Sequence, residues 1–187
     1  MARPDSKRRL FAFLRAINVG GRNVAMAELR RLFLSLGLKE VETFIASGNI
    51  VFKSDASDLR ALERIIEDCL RESLRYEVTT FLRTEQELAA IAKYKPFKEA
   101  QLEVAQALNV AFLSEPPGVE AKKLITALKT DIDAFHVHGR EVYWLCQARQ
   151  SDSKFNNTRF EKILNTRATW RGINTIRRLA AKYAVRQ

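Results

Sequence analysis

The chain has 187 residues, 47% of them hydrophobic, which is enough for one large domain or two small ones with real cores. Thirty-two Lys and Arg against twenty-two Asp and Glu give a formal net charge of +10, the footprint of a polyanion partner or of a solubilising surface. No apolar run approaches the roughly 18 residues of a membrane span, so a cytoplasmic protein with no membrane partner is expected.

Leu10 to Ile17 reads as a buried strand, interrupted by Arg15 and closed by Gly20-Gly21. A helix is expected from Ala25 to Leu36, with Met26, Leu29, Phe33 and Leu36 on one face and Gly37 as its stop. Val41–Ala46 and Ile50–Lys53 are rich in strand formers and flank Ser47-Gly48-Asn49, which predicts a hairpin. Ser57 or Asp58 caps the next helix, whose inner face is Leu59, Leu62, Ile66, Cys69 and Leu70. Val78–Leu82 is a fourth strand, and Thr84 with Glu87 forms a capping box for a short helix that ends before Pro96.

The order strand, helix, two strands, helix, strand is the split βαβ or ferredoxin-like pattern. The second half repeats it. Leu108–Leu113 is a strand, a helix buries Ala121, Leu124, Ile125 and Leu128, and a hairpin turns at Gly139. Thr43 to Phe52 lines up with Ala134 to Tyr143, which superposes Gly48 on Gly139, and Phe11–Leu14 echoes Val110–Leu113. A helix carrying Phe160, a short strand near Trp170 and a basic helix from Thr175 complete the chain. The fold class expected is α+β, two tandem ferredoxin-like halves with antiparallel sheets. The first half covers residues 1–95, the second 96–187 with an extra C-terminal basic helix, and the linker lies within 94–106.

In such a sheet the first strand ends where the third begins, which predicts that the glycine loop and the Ser47-Gly48-Asn49 turn meet. Glycines let backbone N–H groups approach a ligand, and a following helix start adds partial positive charge. Arg15, Asn18, Gly20, Gly21, Arg22, Ser47, Gly48 and Asn49 are therefore candidate anion ligands, unless Arg15 pairs with a carboxylate and the glycines only turn the chain. In the second half the candidates are Lys154, Asn157, Arg171, Asn174 and Thr175, with Trp170 either stacked on a base or packed in the core. Charge favours the two ends of the chain: residues 1–31 carry +6 and residues 140–187 carry +8, against −4 between them.

Phe13–Gly21 and Ser47–Phe52, followed by Arg83-Thr84, by Ser153–Asn157 and by Asn174-Thr175, resemble the bacterial domain of unknown function 1697. That family shows F-L-R-G-I-N-V-G-G near its start and an S-G-N hairpin thereafter. Ala16 stands where the family has glycine, and Ala46 where it often has glutamine. The resemblance implies a compact α+β protein with tandem ferredoxin-like halves, and it implies no reaction.

No P-loop, G-x-G-x-x-G, H-E-x-x-H or zinc-spaced cysteine pair is present, so no cofactor and no metal is expected. Cys69 and Cys146 read as reduced core thiols, and His136 with His138 as a surface pair on a hairpin. Two functions follow. One is binding of a phosphate-bearing ligand, a nucleotide or a nucleic-acid backbone, at the first-half loops. The other is a small-molecule enzyme acting on an anionic substrate in a cleft between the halves, with Arg15, Asn18 and Lys154 orienting it. A monomer or small homo-oligomer suits either.

Overall fold

The computed structural model describes residues 7–18, 20–21, 23–45 and 48–183. The chain divides into two compact units, one formed by the residues up to Ala89 together with Tyr183, the other by Ala90–Lys182. The division falls ahead of the linker expected at 94–106, a stretch that holds a short helix of its own.

The first unit opens with β1 (Arg8–Leu14), α1 (Met26–Ser35), β2 (Lys39–Thr43), β3 (Asn49–Ser54), α2 (Leu59–Leu74) and β4 (Thr80–Thr84). The sheet order is β2-β3-β1-β4, all antiparallel. Helical periodicity decides which face is covered: Leu29, Leu32 and Phe33 of α1 and Leu62, Ile66 and Leu70 of α2 pack on Leu10, Ala12, Leu14, Ile50, Phe52 and Leu82. The local signals act as expected. Asp58 accepts from the N–H groups of Arg60 and Ala61 at the start of α2. Thr84 and Glu87 exchange backbone-to-side-chain bonds of 2.8 and 3.2 Å, which starts α3 (Glu85–Lys93) directly after β4.

After α4 (Glu99–Glu103), the second unit runs β5 (Ala107–Phe112), α5 (Val119–Thr126), β6 (Asp133–His138), β7 (Glu141–Cys146), α6 (Asn157–Leu164), β8 (Thr169–Gly172) and α7 (Ile173–Tyr183). Its sheet order, β6-β7-β5-β8, repeats the first. The fold is therefore α+β with two similar antiparallel halves. The basic helix α7, expected as an addition, has its counterpart in α3: each follows the last strand of its sheet without a break. Among the residues expected inside α5 only Ile125 is buried, and Leu124 is half exposed.

The hairpin match read from the sequence is one residue out of register on β3 and β7. Leu14 N–H donates to Gly48 O and Leu113 N–H to Arg140 O, both across the same strand pair. Ala12 pairs with Ile50, and Ala111 with Val142. Gly48 thus corresponds to Arg140, not to Gly139. The cause is turn length: His138 pairs with Glu141 across the tight Gly139-Arg140 turn, whereas the β2–β3 connection runs longer, from Thr43 to its partner Ile50. Among the described residues no helix is long and apolar enough to cross a membrane.

Candidate functional site

β1 stops at Leu14, one residue earlier than a strand carrying Arg15 requires, so Arg15 lies just past the sheet and is half-buried. The chain there is pinned on both sides. Leu14 N–H donates to Gly48 O at 2.8 Å, and Arg15 N–H to Thr79 O at 2.8 Å. The β1–α1 loop and the β2–β3 loop therefore meet at one end of the sheet. A Cβ placed on Gly48 would lie 3.1 Å from Leu14 Cβ and 3.3 Å from Ile17 Cβ.

Inside the loops, polar side chains hold the backbone in shape. Asn18 Oδ1 accepts from Val24 N–H at 2.7 Å. Asn49, almost fully buried, donates through Nδ2 to Phe44 O at 3.0 Å, and Asn49 O accepts from Phe44 N–H at 2.9 Å. Ala16, Asn18, Gly20, Gly21, Ile45 and Gly48 all have φ between 56° and 81°. Six of the eleven left-handed residues among those described thus fall in these two loops. For β-branched Ile45 this is an outlier conformation, and for Ala16 a strained one. Sequence reasoning reached the glycines but passed over Ala16 and Ile45; the signal for Ala16 was the glycine that the resembling family carries there.

Gly20 and Gly21 are exposed, and their N–H groups enter no hydrogen bond among the described residues. Helix α1 then begins at Met26, after Ala25, without a side-chain cap. Its first-turn carboxylate, Glu28, is held by Arg31 at 2.6 Å, and that hydrogen bond keeps the Glu28 carboxyl below its usual range. Neither loop contains His, Cys, Asp or Glu, so the set suits holding an acceptor rather than moving a proton. Arg22 and Ser47 lie outside the described residues.

The second-half candidates are spread over three elements. Lys154 is exposed ahead of α6. Asn157 opens α6 and accepts from Trp170 Nε1–H at 2.8 Å. The Trp170 ring packs against Phe160, Phe155 and Trp144 at centroid distances of 5.0, 5.3 and 5.9 Å, so the indole serves the core and not a stacked base. Arg171 is buried on β8, its Nη1 donating to Thr169 Oγ1 at 2.9 Å and to Trp170 O at 2.7 Å. Burial pulls its pKa down to about 10, which leaves it charged at neutral pH. Asn174 and Thr175 sit in the first turn of α7.

Arg171 has an equivalent that sequence reasoning named only as part of a motif. Arg83, fully buried, pairs with Phe11 on β1 as Arg171 pairs with Val110 on β5, and its Nη1 donates to Leu82 O at 2.8 Å. The histidine pair stands on the β6–β7 hairpin as expected, His138 exposed and His136 half-buried, with Tyr94 against it: the Tyr94 hydroxyl bonds His136 Nε2 at 2.8 Å and its ring stacks on His138 at 4.0 Å. No group of three His, Cys, Asp or Glu among the described residues forms a metal cluster.

A family model described as "Protein of unknown function (DUF1697)" matches residues 8–143. Among solved structures, that of the conserved bacterial protein SP0830 from Streptococcus pneumoniae is similar, with a TM-score of 0.70 over 94% of this chain and 98% of that one. The two share 23% sequence identity, so the likeness is one of fold. No curated protein matches the chain.

Proposed function

The chain belongs to the DUF1697 family of proteins of unknown function, and we propose that it binds the phosphate group of a small ligand such as a nucleotide, at the two joined loops of its first half. The observation that carries this reading is the concentration of left-handed backbone in those loops, two non-glycine residues included. A left-handed alanine or isoleucine costs about 1–2 kcal/mol, and such strain gathers where a backbone shape is used. What that shape presents is donors. The exposed N–H groups of Gly20 and Gly21, the uncapped start of α1 and the half-buried Arg15 at the loop root all favour an anion. A guanidinium adds a planar fork of five donors suited to phosphate oxygens.

Thermal melts of the parent and of Arg15→Met, with and without inorganic phosphate or a nucleotide, test this. Ligand at a hundredfold over its Kd stabilises the parent by about 2.7 kcal/mol, and Arg15→Met loses that gain. A parent unmoved by every anion, beside a strongly destabilised Arg15→Met, turns Arg15 into a structural residue and removes the site.

A further inference from the structure

We infer that the second half carries its own small-anion site, a pocket of about 250 Å³ between the end of α5, the start of β6 and the start of α6, built for a phosphate monoester. Three cations line it: Lys129, Lys154 and Arg159. None of the three side chains forms an ion pair or hydrogen bond among the described residues. Their neighbours behave differently. Lys123, on the exposed face of α5, is held by Glu120 at 2.8 Å, and Arg167 is bonded to Glu161 at 3.4 Å. Like charges that outnumber the acids of a concavity repel one another, a cost that an anionic ligand converts into attraction.

The one acid in the wall does not supply that attraction. Asp133 is 3% exposed, and its carboxylate is occupied by Trp144 Nε1–H at 2.8 Å, Ser153 Oγ–H at 2.9 Å and Thr130 Oγ1–H at 2.9 Å. Its acceptor positions face neutral donors, and the pocket keeps a surplus of two positive charges. A phosphate dianion matches that surplus. Leu128 and the half-buried Phe155 complete the wall with apolar surface, which suits an ester whose organic arm is apolar or aromatic. Sequence reasoning reached Lys154 but neither Lys129 nor Arg159, because the three converge only when α5 and α6 lie side by side.

The site is independent of the first-half loops, and calorimetric titration separates the two. Phenyl phosphate and inorganic phosphate are titrated at low salt into the full chain, into Arg15→Met, into Lys154→Gln, into the double variant that adds Arg159→Gln, and into Lys122→Gln, an exposed α5 cation outside the pocket. A saturable site persists in Arg15→Met and in Lys122→Gln, and phenyl phosphate binds more tightly than phosphate. Lys154→Gln alone weakens it about tenfold, the loss of one charge-assisted contact, and the double variant abolishes it. Lys122, Lys154 and Arg159 are exposed, so their variants keep the fold, and circular dichroism checks this for them and for Arg15→Met. The inference is overturned by a parent that gives no saturable heat. It is equally overturned if Lys122→Gln weakens binding as much as Lys154→Gln does, or if Arg15→Met removes all of it.

Discussion

At the scale of single residues, the glycines of the two loops differ in what they do. Gly20 and Gly21 have open space where a Cβ would stand, so only their left-handed φ of 63° and 81° resists substitution. Gly48 combines a φ of 68° with neighbours at 3.1 and 3.3 Å, both of them Cβ atoms fixed to the backbone of the β1 end. Alanine at Gly20 or Gly21 is therefore expected to cost about 1 kcal/mol, and alanine at Gly48 about 2 kcal/mol or more, since strain and overpacking add. Urea unfolding of the three variants reads the ranking; equal losses at all three positions would deny Gly48 its close-packing role. The paired glycines were legible in the sequence because left-handed turns select that residue. The closer constraint at Gly48 was not, because Leu14 and Ile17 reach it only through the strand pairing. Arg171 shows the same limit from the other side: as a residue type it reads as a phosphate ligand, and its burial on β8 depends on tertiary packing.

Between residue and domain, the edge strands carry a device that no local pattern announces. β4 borders its sheet, and its outward N–H groups are taken by helix carboxylates. Thr80 N–H donates to Glu67 at 2.7 Å, Leu82 N–H to Glu63 at 2.8 Å and Thr84 N–H to Glu87 at 2.8 Å. In the second half Ala168 N–H, just ahead of β8, donates to Glu161 at 2.9 Å. Occupied donors give no template for pairing with another chain. Only the Glu87 contact was readable beforehand, because a capping box is local, whereas Glu63 and Glu67 meet β4 across the fold. Glu67 tests the arrangement. Burial pushes its carboxyl pKa up, with the Thr80 N–H bond opposing. A raised carboxyl pKa means the stability it contributes is fully present below the unfolded value, about 4.3, and is lost as pH rises through the folded value. Glu67→Gln keeps an acceptor without the charge, so near pH 7 it should match or exceed the parent, and the two should converge below about pH 4. Glu67→Ala leaves Thr80 N–H without its acceptor and should cost about 1–3 kcal/mol at either pH. Urea midpoints at both pH values decide. A Gln variant as weak as the Ala variant near pH 7 would show that the charge itself holds the strand.

At the scale of the whole molecule, duplication was legible as element order and blurred in register. The order βαββαβ emerges from two periodicities, and both are local. The alignment of hairpins was guided by their glycines, and a two-residue turn facing a longer loop shifts that guide by one position. Sheet pairing restores the correspondence: Ala12 with Ala111, Ile50 with Val142, Leu82 with Trp170 and Arg83 with Arg171. Each half also has a separate apolar cluster on the helix side of its sheet. We propose on that basis that the halves are distinct folding units. The tryptophans make this measurable. Both of them, Trp144 and Trp170, belong to the aromatic cluster of the second unit, so intrinsic fluorescence reads that unit alone. Far-UV circular dichroism reads the helices of both. Gly48→Ala weakens the first unit at a point remote in sequence from either indole. In urea it should advance part of the dichroism transition while the fluorescence midpoint holds, so that the two probes, however close in the parent, part in the variant. If both midpoints move together by the same amount, the halves unfold as one cooperative body, and the lesion at Gly48 is felt by the whole chain.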